Sequence, residues 1–196
     1  MGPWEVALGD SITQLSPRLR EYFQTIPAGE VGRGSGVFSV VGTPRRWLWP
    51  LLALLGKAGI VFPVWERDVP FTVENRPVYS GLASTRTFQF RDGDRVMSDL
   101  VVTGHGGLED RLGRRGCIVA RLEATVAHKT LTLRSTRVSL YGIPLPRRLS
   151  PVVTVLERSD GEERHVSLTL DAPIIGRLYE YAGVFTYRVE PKRGLS

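Results

Sequence analysis

The residues whose types are best suited to catalysis lie near the N-terminus, in the tripeptide Gly9-Asp10-Ser11. A serine acts as a nucleophile when a base takes its proton, a carboxylate orients that base and N–H donors hold the oxyanion. His165 is the histidine nearest the C-terminus, and Glu162 stands three residues before it. The competing interpretation places Asp10 and Ser11 in a polar turn before a helix. The pattern leaves both interpretations open.

The run from Ala7 to Thr13 resembles the first block of the GDSL esterase family. The resemblance implies a nucleophilic Ser11 and, near the C-terminus, an Asp-x-x-His motif that supplies the base and its carboxylate. Glu162 stands where that aspartate is expected, and the alternating strand and helix pattern of that fold is missing. A hydrolase is therefore only the second alternative function, and two non-catalytic functions rank above it.

A second group suited to acid and base chemistry pairs His105 with Glu109 or Asp110, and Asp99 is a further candidate. These side chains would transfer protons if they converged in one pocket. The competing interpretation, which we favour, is a solvated histidine in a turn at His105–Gly107. The three histidines and the single Cys117 match no metal-ligand spacing, so we expect no metal site. A protein that is not an enzyme is favoured.

The glycine-rich run from Gly29 to Gly36 raises the question of a phosphate-binding loop. Such a loop needs a strand before it and a helix after it. The order here is reversed, because a helical pattern precedes the glycines and a strand-like run, Val37–Val41, follows them. The sequence therefore predicts a flexible loop, and we expect no nucleotide cofactor.

Charge and targeting signals place the chain in a broad class. Lys and Arg number 26 against 20 Asp and Glu, which leaves a net charge of +6. The basic residues are scattered without a long basic tract, so we expect no nucleic-acid partner. Cys117 is alone and is predicted to be a small buried residue. Met1–Val6 does not resemble a signal peptide, and the expected location is the cytoplasm.

The helical part of the chain is predicted at about 16–58. Ser16 and Pro17 form a helix start, and an apolar stripe of four residues runs to Ile26. Thr43-Pro44 repeats that start before the apolar run Trp47–Leu55, in which Pro50 would kink or break the helix. This run is too short to span a bilayer, which needs about 20 residues. We expect it to cover the interior of a curved sheet, with an interfacial membrane element as the alternative.

The antiparallel β part is predicted at about 69–190. Ile118, Ala120, Leu122, Ala124 and Val126 share one face of the clearest half-buried strand. A register change is predicted near Ser135 in the next strand. The proline-rich segment Tyr141–Pro151 is predicted to connect two antiparallel strand pairs, because proline lacks a ladder donor.

Together these patterns predict a single α+β domain, 1–196, that is mostly β. The expected architecture is a large curved antiparallel sheet or open barrel of about eight to ten strands, with two N-terminal helices packed on it. Small inward side chains such as Ala120 and Ala124 would leave room for a ligand. We expect a hydrophobic small molecule or lipid in this cavity, and ordinary core packing is the competing interpretation. The predicted lining comprises Trp47, Trp49, Leu52, Leu55, Phe88, Leu122 and Tyr181.

Several phrases occur in one order that resembles a known family. They are Leu15–Phe23, Arg86-Thr87-Phe88, Gly142–Pro146, Leu149-Ser150-Pro151, Pro173–Gly176 and Tyr181-Ala182-Gly183. The order resembles the bacterial domain-of-unknown-function family four-one-six-six. Ser84-Thr85 departs from it, since a tryptophan is expected before Arg86.

Members of that family are sometimes joined to nucleotide-binding oxidoreductase domains. The resemblance therefore implies an alternative function, an interaction or accessory domain for an oxidoreductase partner. The docking face would be the Tyr141–Pro151 segment with Arg147 and Arg148.

Overall fold

A computed structural model describes residues 1–57, 59–104 and 107–192 of the chain. Over these residues it contains three α-helices, α1 (Pro3–Leu8), α2 (Pro17–Phe23) and α3 (Trp49–Lys57). Three short 3₁₀ helices lie at Gly9–Gln14, Arg46–Leu48 and Arg114–Gly116. The twelve strands are β1 (Glu30–Gly42), β2 (Trp65–Glu66), β3 (Val69–Val78), β4 (Gly81–Phe90), β5 (Gly93–Gly104), β6 (Gly107–Leu112), β7 (Ile118–Ala127), β8 (Thr130–Leu140), β9 (Ile143–Pro144), β10 (Val152–Asp160), β11 (Glu163–Ala172) and β12 (Gly176–Pro191).

Ten of these strands form a closed antiparallel barrel. Their order around the barrel is β1, β3, β4, β5, β6, β7, β8, β10, β11, β12, so most neighbours in sequence are neighbours in space. Two pairings close the ring: β8 with β10, and β12 with β1. The predicted mostly-β α+β fold is therefore confirmed, and the sheet closes on itself, which removes its open edges.

The strand pattern follows the predicted alternation closely. Along β7 the inward Ala120 is buried while Glu123 and Thr125 face solvent. The register between β7 and β8 shifts beside Leu122, which pairs with Ser135, while Arg121 pairs with Arg137. The predicted register change near Ser135 is thus confirmed as a bulge.

The glycine-rich run is the main correction to the predicted elements. Residues 30–36 lie inside β1, so the prediction of a loop was wrong. Glycine is depleted from strands because it packs no side chain, and that general rule misled the prediction. Here the space is used by β12: a Cβ on Gly32 would stand 1.5 Å from the Tyr187 hydroxyl, and one on Gly36 would stand 2.0 Å from the Val184 carbonyl oxygen.

Helix α2 begins as predicted and ends early. The Ser16 hydroxyl accepts a hydrogen bond from the Leu19 amide at 3.4 Å, and Leu19 and Phe23 are buried. Helix α1 and the 3₁₀ turn at Gly9–Gln14 stand before it, so Asp10 and Ser11 lie in that turn.

Pro50 marks the start of α3 rather than a kink within a longer helix. It is the second residue of α3, where the missing N–H costs no intrahelical hydrogen bond. Leu48 and Leu52 are buried on one side and belong to the hydrophobic core cluster. Among the described residues, no helix is long and apolar enough to cross a membrane.

The helices sit at opposite ends of the barrel. Helices α1 and α2 contact β5, β6, β7, β10 and β12 near one end, where the Ser16 hydroxyl meets that of Ser159 in β10. The α3 segment, by which we mean residues 43–57, lies at the other end. There Arg45 donates a hydrogen bond to the Ile175 carbonyl in the β11–β12 turn. We call these the α2 end and the α3 end.

Candidate functional site

The barrel interior has one wall of aliphatic side chains that remain only half-buried. They lie on β6, β7, β10 and β11 and point towards the core. Inside a closed barrel, the surface that an inward side chain keeps accessible faces the interior or its mouth. We call the inward side of this wall the lumen, and the wall consists of Leu112, Ile118, Leu122, Ala124, Val126, Val155, Leu168 and Leu170.

The opposite side of the interior is solid. Phe88 lies 5.5 Å from Phe38, 5.9 Å from Phe90 and 6.2 Å from Phe71, measured between ring centroids. Tyr181 packs against Phe38 at 5.0 Å. These rings on β1, β3, β4 and β12 fill their half of the barrel, so the half-buried inward side chains lie on the aliphatic side.

Three charged side chains on adjacent strands point into this interior. Arg86 shares its face of β4 with the buried Phe88, and Asp99 shares its face of β5 with Val101. Asp110 lies on the inward face of β6, opposite Ala120 of β7. The Arg86 guanidinium donates a hydrogen bond to the Asp99 carboxylate. The Asp99 side chain is 2% exposed and that of Arg86 20%, so this ion pair is held inside the barrel.

Asp110 is the electrostatically strained member of the group. Burial raises its pKa well above the usual range, the negative charge of Asp99 raises it further, and Arg86 opposes both effects. Its Oδ1 atom is buried without a hydrogen-bond partner among the described residues. The arrangement therefore favours a protonated carboxyl that can donate a hydrogen bond into the interior.

The Arg86 guanidinium keeps its charge despite burial. Burial alone would lower the pKa of Arg86, but the charge of Asp99 raises it above the ordinary value. For Tyr181 burial has the opposite effect: it raises the pKa of the phenol, so the hydroxyl stays neutral. The interior around Arg86 thus contains one ion pair, between Arg86 and Asp99, together with neutral hydrogen-bond donors.

A second buried ion pair lies towards the α2 end. Arg164 on β11 is 2% exposed and donates a hydrogen bond to Glu157 on β10 at 2.5 Å. Its guanidinium lies 3.6 Å from the Tyr22 ring centroid of α2 and 4.9 Å from that of Phe185. Burial raises the pKa of Glu157 against the opposing charge of Arg164. This cluster fixes α2 to the barrel through a cation–π contact.

The seven predicted lining residues do not share one surface. Leu122 lies on the lumen wall, while Phe88 and Tyr181 belong to the solid aromatic side. The remaining four lie in the α3 segment: Leu52 is buried, Trp49 and Leu55 are half-buried, and Trp47 is 63% exposed.

The residues considered for acid and base chemistry lie on different sides of the barrel wall. Glu109 contacts Arg111 at 3.2 Å and Arg121 at 3.4 Å, on the outward face of β6. Asp99 and Asp110 point inward from β5 and β6, so neither carboxylate converges with that of Glu109. His105 lies outside the described residues.

The esterase-like arrangement is also not assembled. His165 lines a groove of about 340 Å³ on the outer face of β10, β11 and β12. Glu162 instead forms an ion pair with Arg18 of α2. Ser11 lies in the 3₁₀ turn after α1, so these residues form no triad. In the described part of the chain, no three residues of the metal-ligating types are grouped closely enough to hold a metal ion.

Sequence reasoning named Asp99 and Asp110 as acid and base candidates, but it did not group them with Arg86 inside the barrel. The sequence signal was the alternation of side chains along each strand, which shows which residues share a face. Arg86 alternates in step with Phe88, and Asp110 in step with Leu108 and Leu112. A charged residue on the apolar face of a strand is one that the fold must place inside.

Comparison with known proteins bears on the family alone. No curated protein and no solved structure matches the chain. The model of one family, described as Domain of unknown function (DUF4166), matches residues 15–185. The match spans most of the barrel, from just before α2 into β12. The chain therefore belongs to the DUF4166 family.

Proposed function

We propose that this protein binds a hydrophobic small molecule or lipid in the lumen of its barrel. The observation that carries the proposal is the wall of inward aliphatic side chains that stay half-buried inside a closed sheet. A fully packed barrel would bury these residues as it buries Leu131 and Leu133 of the neighbouring β8, which are 0% and 4% exposed.

The charged group indicates which part of a ligand would lie where. The aliphatic wall suits a hydrocarbon chain or ring system. The raised pKa of Asp110 favours its protonated form, and its Oδ1 atom has no partner among the described residues, so it suits a hydroxyl or carbonyl group that exchanges one hydrogen bond with it. Because Asp99 already neutralises Arg86, the ligand needs no charge of its own. The ligand class is therefore apolar with one polar, uncharged end.

Filling the lumen tests the proposal directly. Ala124 is small and lies on the lumen wall, whereas the adjacent Thr125 faces solvent. The variants Ala124→Phe and Thr125→Phe introduce the same side chain on opposite faces of β7. We expect Ala124→Phe to raise the Kd of a fluorescent long-chain alcohol at least tenfold and Thr125→Phe to leave this Kd unchanged. Equal binding by both variants, or no binding by the wild type across a panel of long-chain alcohols, ketones and sterols, would contradict the proposal.

A second candidate is an accessory domain for an oxidoreductase partner. The segment between β8 and β10 exposes Tyr141 by 78%, Ile143 by 71% and Leu149 by 65%, which is unusual for apolar side chains so close together. Pull-downs with wild type and Ile143→Ser as paired baits test it. An oxidoreductase retained by the wild type and lost by the variant supports this candidate, whereas no enrichment over the variant contradicts it.

A further inference from the structure

The outer side of the α3 segment carries an apolar face that no part of the described chain covers. Trp47 is 63% exposed, Leu51 48% and Leu54 66%, while Leu48 and Leu52 on the other side are buried. Helices that pack on one side only normally turn polar residues to solvent. This short helix is apolar on both sides.

The β11–β12 turn adjoins this face. Ile174 in that turn is 83% exposed. Arg45, two residues before Trp47, donates a hydrogen bond to the Ile175 carbonyl and so ties the turn to the α3 segment. We call the exposed residues Trp47, Leu51, Leu54 and Ile174 the α3 patch.

The helical segment that carries most of the α3 patch is cationic, while beside Ile174 the charges of Asp171 and Arg177 pair with each other. Residues 43–57 contain Arg45, Arg46 and Lys57 and no Asp or Glu. Each of the three is exposed, and the Arg46 guanidinium lies 5.7 Å from the Trp49 ring centroid. Exposed Trp and Leu beside Lys and Arg are the composition of helices that lie in the membrane interface.

We propose that the α3 patch docks this barrel end onto an anionic lipid bilayer. The apolar side chains enter the boundary between headgroups and acyl chains, and Arg45, Arg46 and Lys57 contact lipid phosphates. Charge decides against a second copy of the chain as the occupant. A two-fold dimer places the same patch against itself, which would bring the three cations of each copy together.

Vesicle binding tests this proposal. The matched variants are Trp47→Ser and Tyr79→Ser, since Tyr79 is a fully exposed aromatic residue in the β3–β4 turn at the α2 end. We expect the wild type to sediment with phosphatidylglycerol vesicles and much less with phosphatidylcholine vesicles. Trp47→Ser combined with Leu54→Ser should lower the partition coefficient at least tenfold, and Lys57→Gln about fivefold. Tyr79→Ser should leave it unchanged.

The outcomes that overturn the proposal are equally specific. No sedimentation of the wild type, equal binding to both vesicle types, or equal loss in Tyr79→Ser would each refute it. A concentration-dependent dimer that Trp47→Ser dissolves, without vesicle binding, would assign the patch to self-association instead. The assay needs no ligand in the lumen, so its failure is distinguishable from failure of ligand binding by Ala124→Phe.

Discussion

Replacing Arg86 with methionine removes the cation that is hydrogen-bonded to Asp99 inside the barrel. Methionine keeps an unbranched apolar stem in the same space, so the change mainly removes charge. The Asp99 carboxylate, 2% exposed, then has no counter-ion beside it, and Asp110 is its diagonal neighbour on β6. Breaking a buried ion pair in this way costs about 3–5 kcal/mol, because the remaining charge keeps its desolvation penalty.

The size of the effect on thermal stability follows from chain length. An unfolding entropy of about 2.1 cal/mol/K per residue gives roughly 0.4 kcal/mol/K for 196 residues. A loss of about 3–5 kcal/mol therefore lowers Tm by about 7–12 °C. Differential scanning calorimetry of the purified variant measures this shift.

Arg33 provides the matched control on the outside of the barrel. Its guanidinium contacts Glu74 at 2.8 Å and Glu190 at 2.5 Å, but it is 37% exposed. Exposed pairs contribute about 0–1 kcal/mol, so Arg33→Met should lower Tm by at most about 2–3 °C. The double variant Arg86→Met/Asp99→Leu should recover stability relative to Arg86→Met. Equal Tm losses for Arg86→Met and Arg33→Met would refute the assignment of Arg86 and Asp99 to the interior.

Two further changes probe the interior and the strand contacts. Because the pKa of folded Asp110 is raised, its stabilising contribution is full below the unfolded pKa of about 4 and is lost as pH rises through the folded value. In urea unfolding, Asp110→Asn should therefore gain stability over the wild type as pH rises above about 4; a difference that stays constant with pH would contradict this. Gly36→Ala would place a Cβ 2.0 Å from the Val184 carbonyl oxygen and should cost about 1–3 kcal/mol. The neighbouring Ser35→Ala, on the solvent face, should stay within about 0.5 kcal/mol, and an equal effect of both would contradict the close β1–β12 approach.

Much of the fold was readable because local patterns and global structure agree. The period-2 run from Ile118 to Val126 identified β7, and the proline-rich segment Tyr141–Pro151 marked the connection between β8 and β10. Barrel closure could not be read, because it depends on β12 reaching β1 across most of the chain. Residues 30–36 could not be identified as a strand because this too depends on a distant part of the chain. The atoms that fill the space above the glycines come from β12.

The candidate site was less accessible to sequence reasoning. Apolar residues of the α3 segment attracted attention by composition, yet the exposed Trp47 and the buried Leu52 have the same apolar character and opposite surroundings. Arg86, Asp99 and Asp110 come from three strands and form one group only after the sheet curves. Their inward parity was visible in the sequence, but the depth of each residue in the barrel was not.

Native mass spectrometry of the purified wild-type protein, with solvent extraction of any bound molecule, tests ligand binding in the lumen most directly. The account predicts a stoichiometric apolar passenger with one uncharged polar group, absent from Ala124→Phe and present in Thr125→Phe. A passenger-free wild type that also shows no thermal shift with long-chain alcohols, ketones or sterols would contradict it.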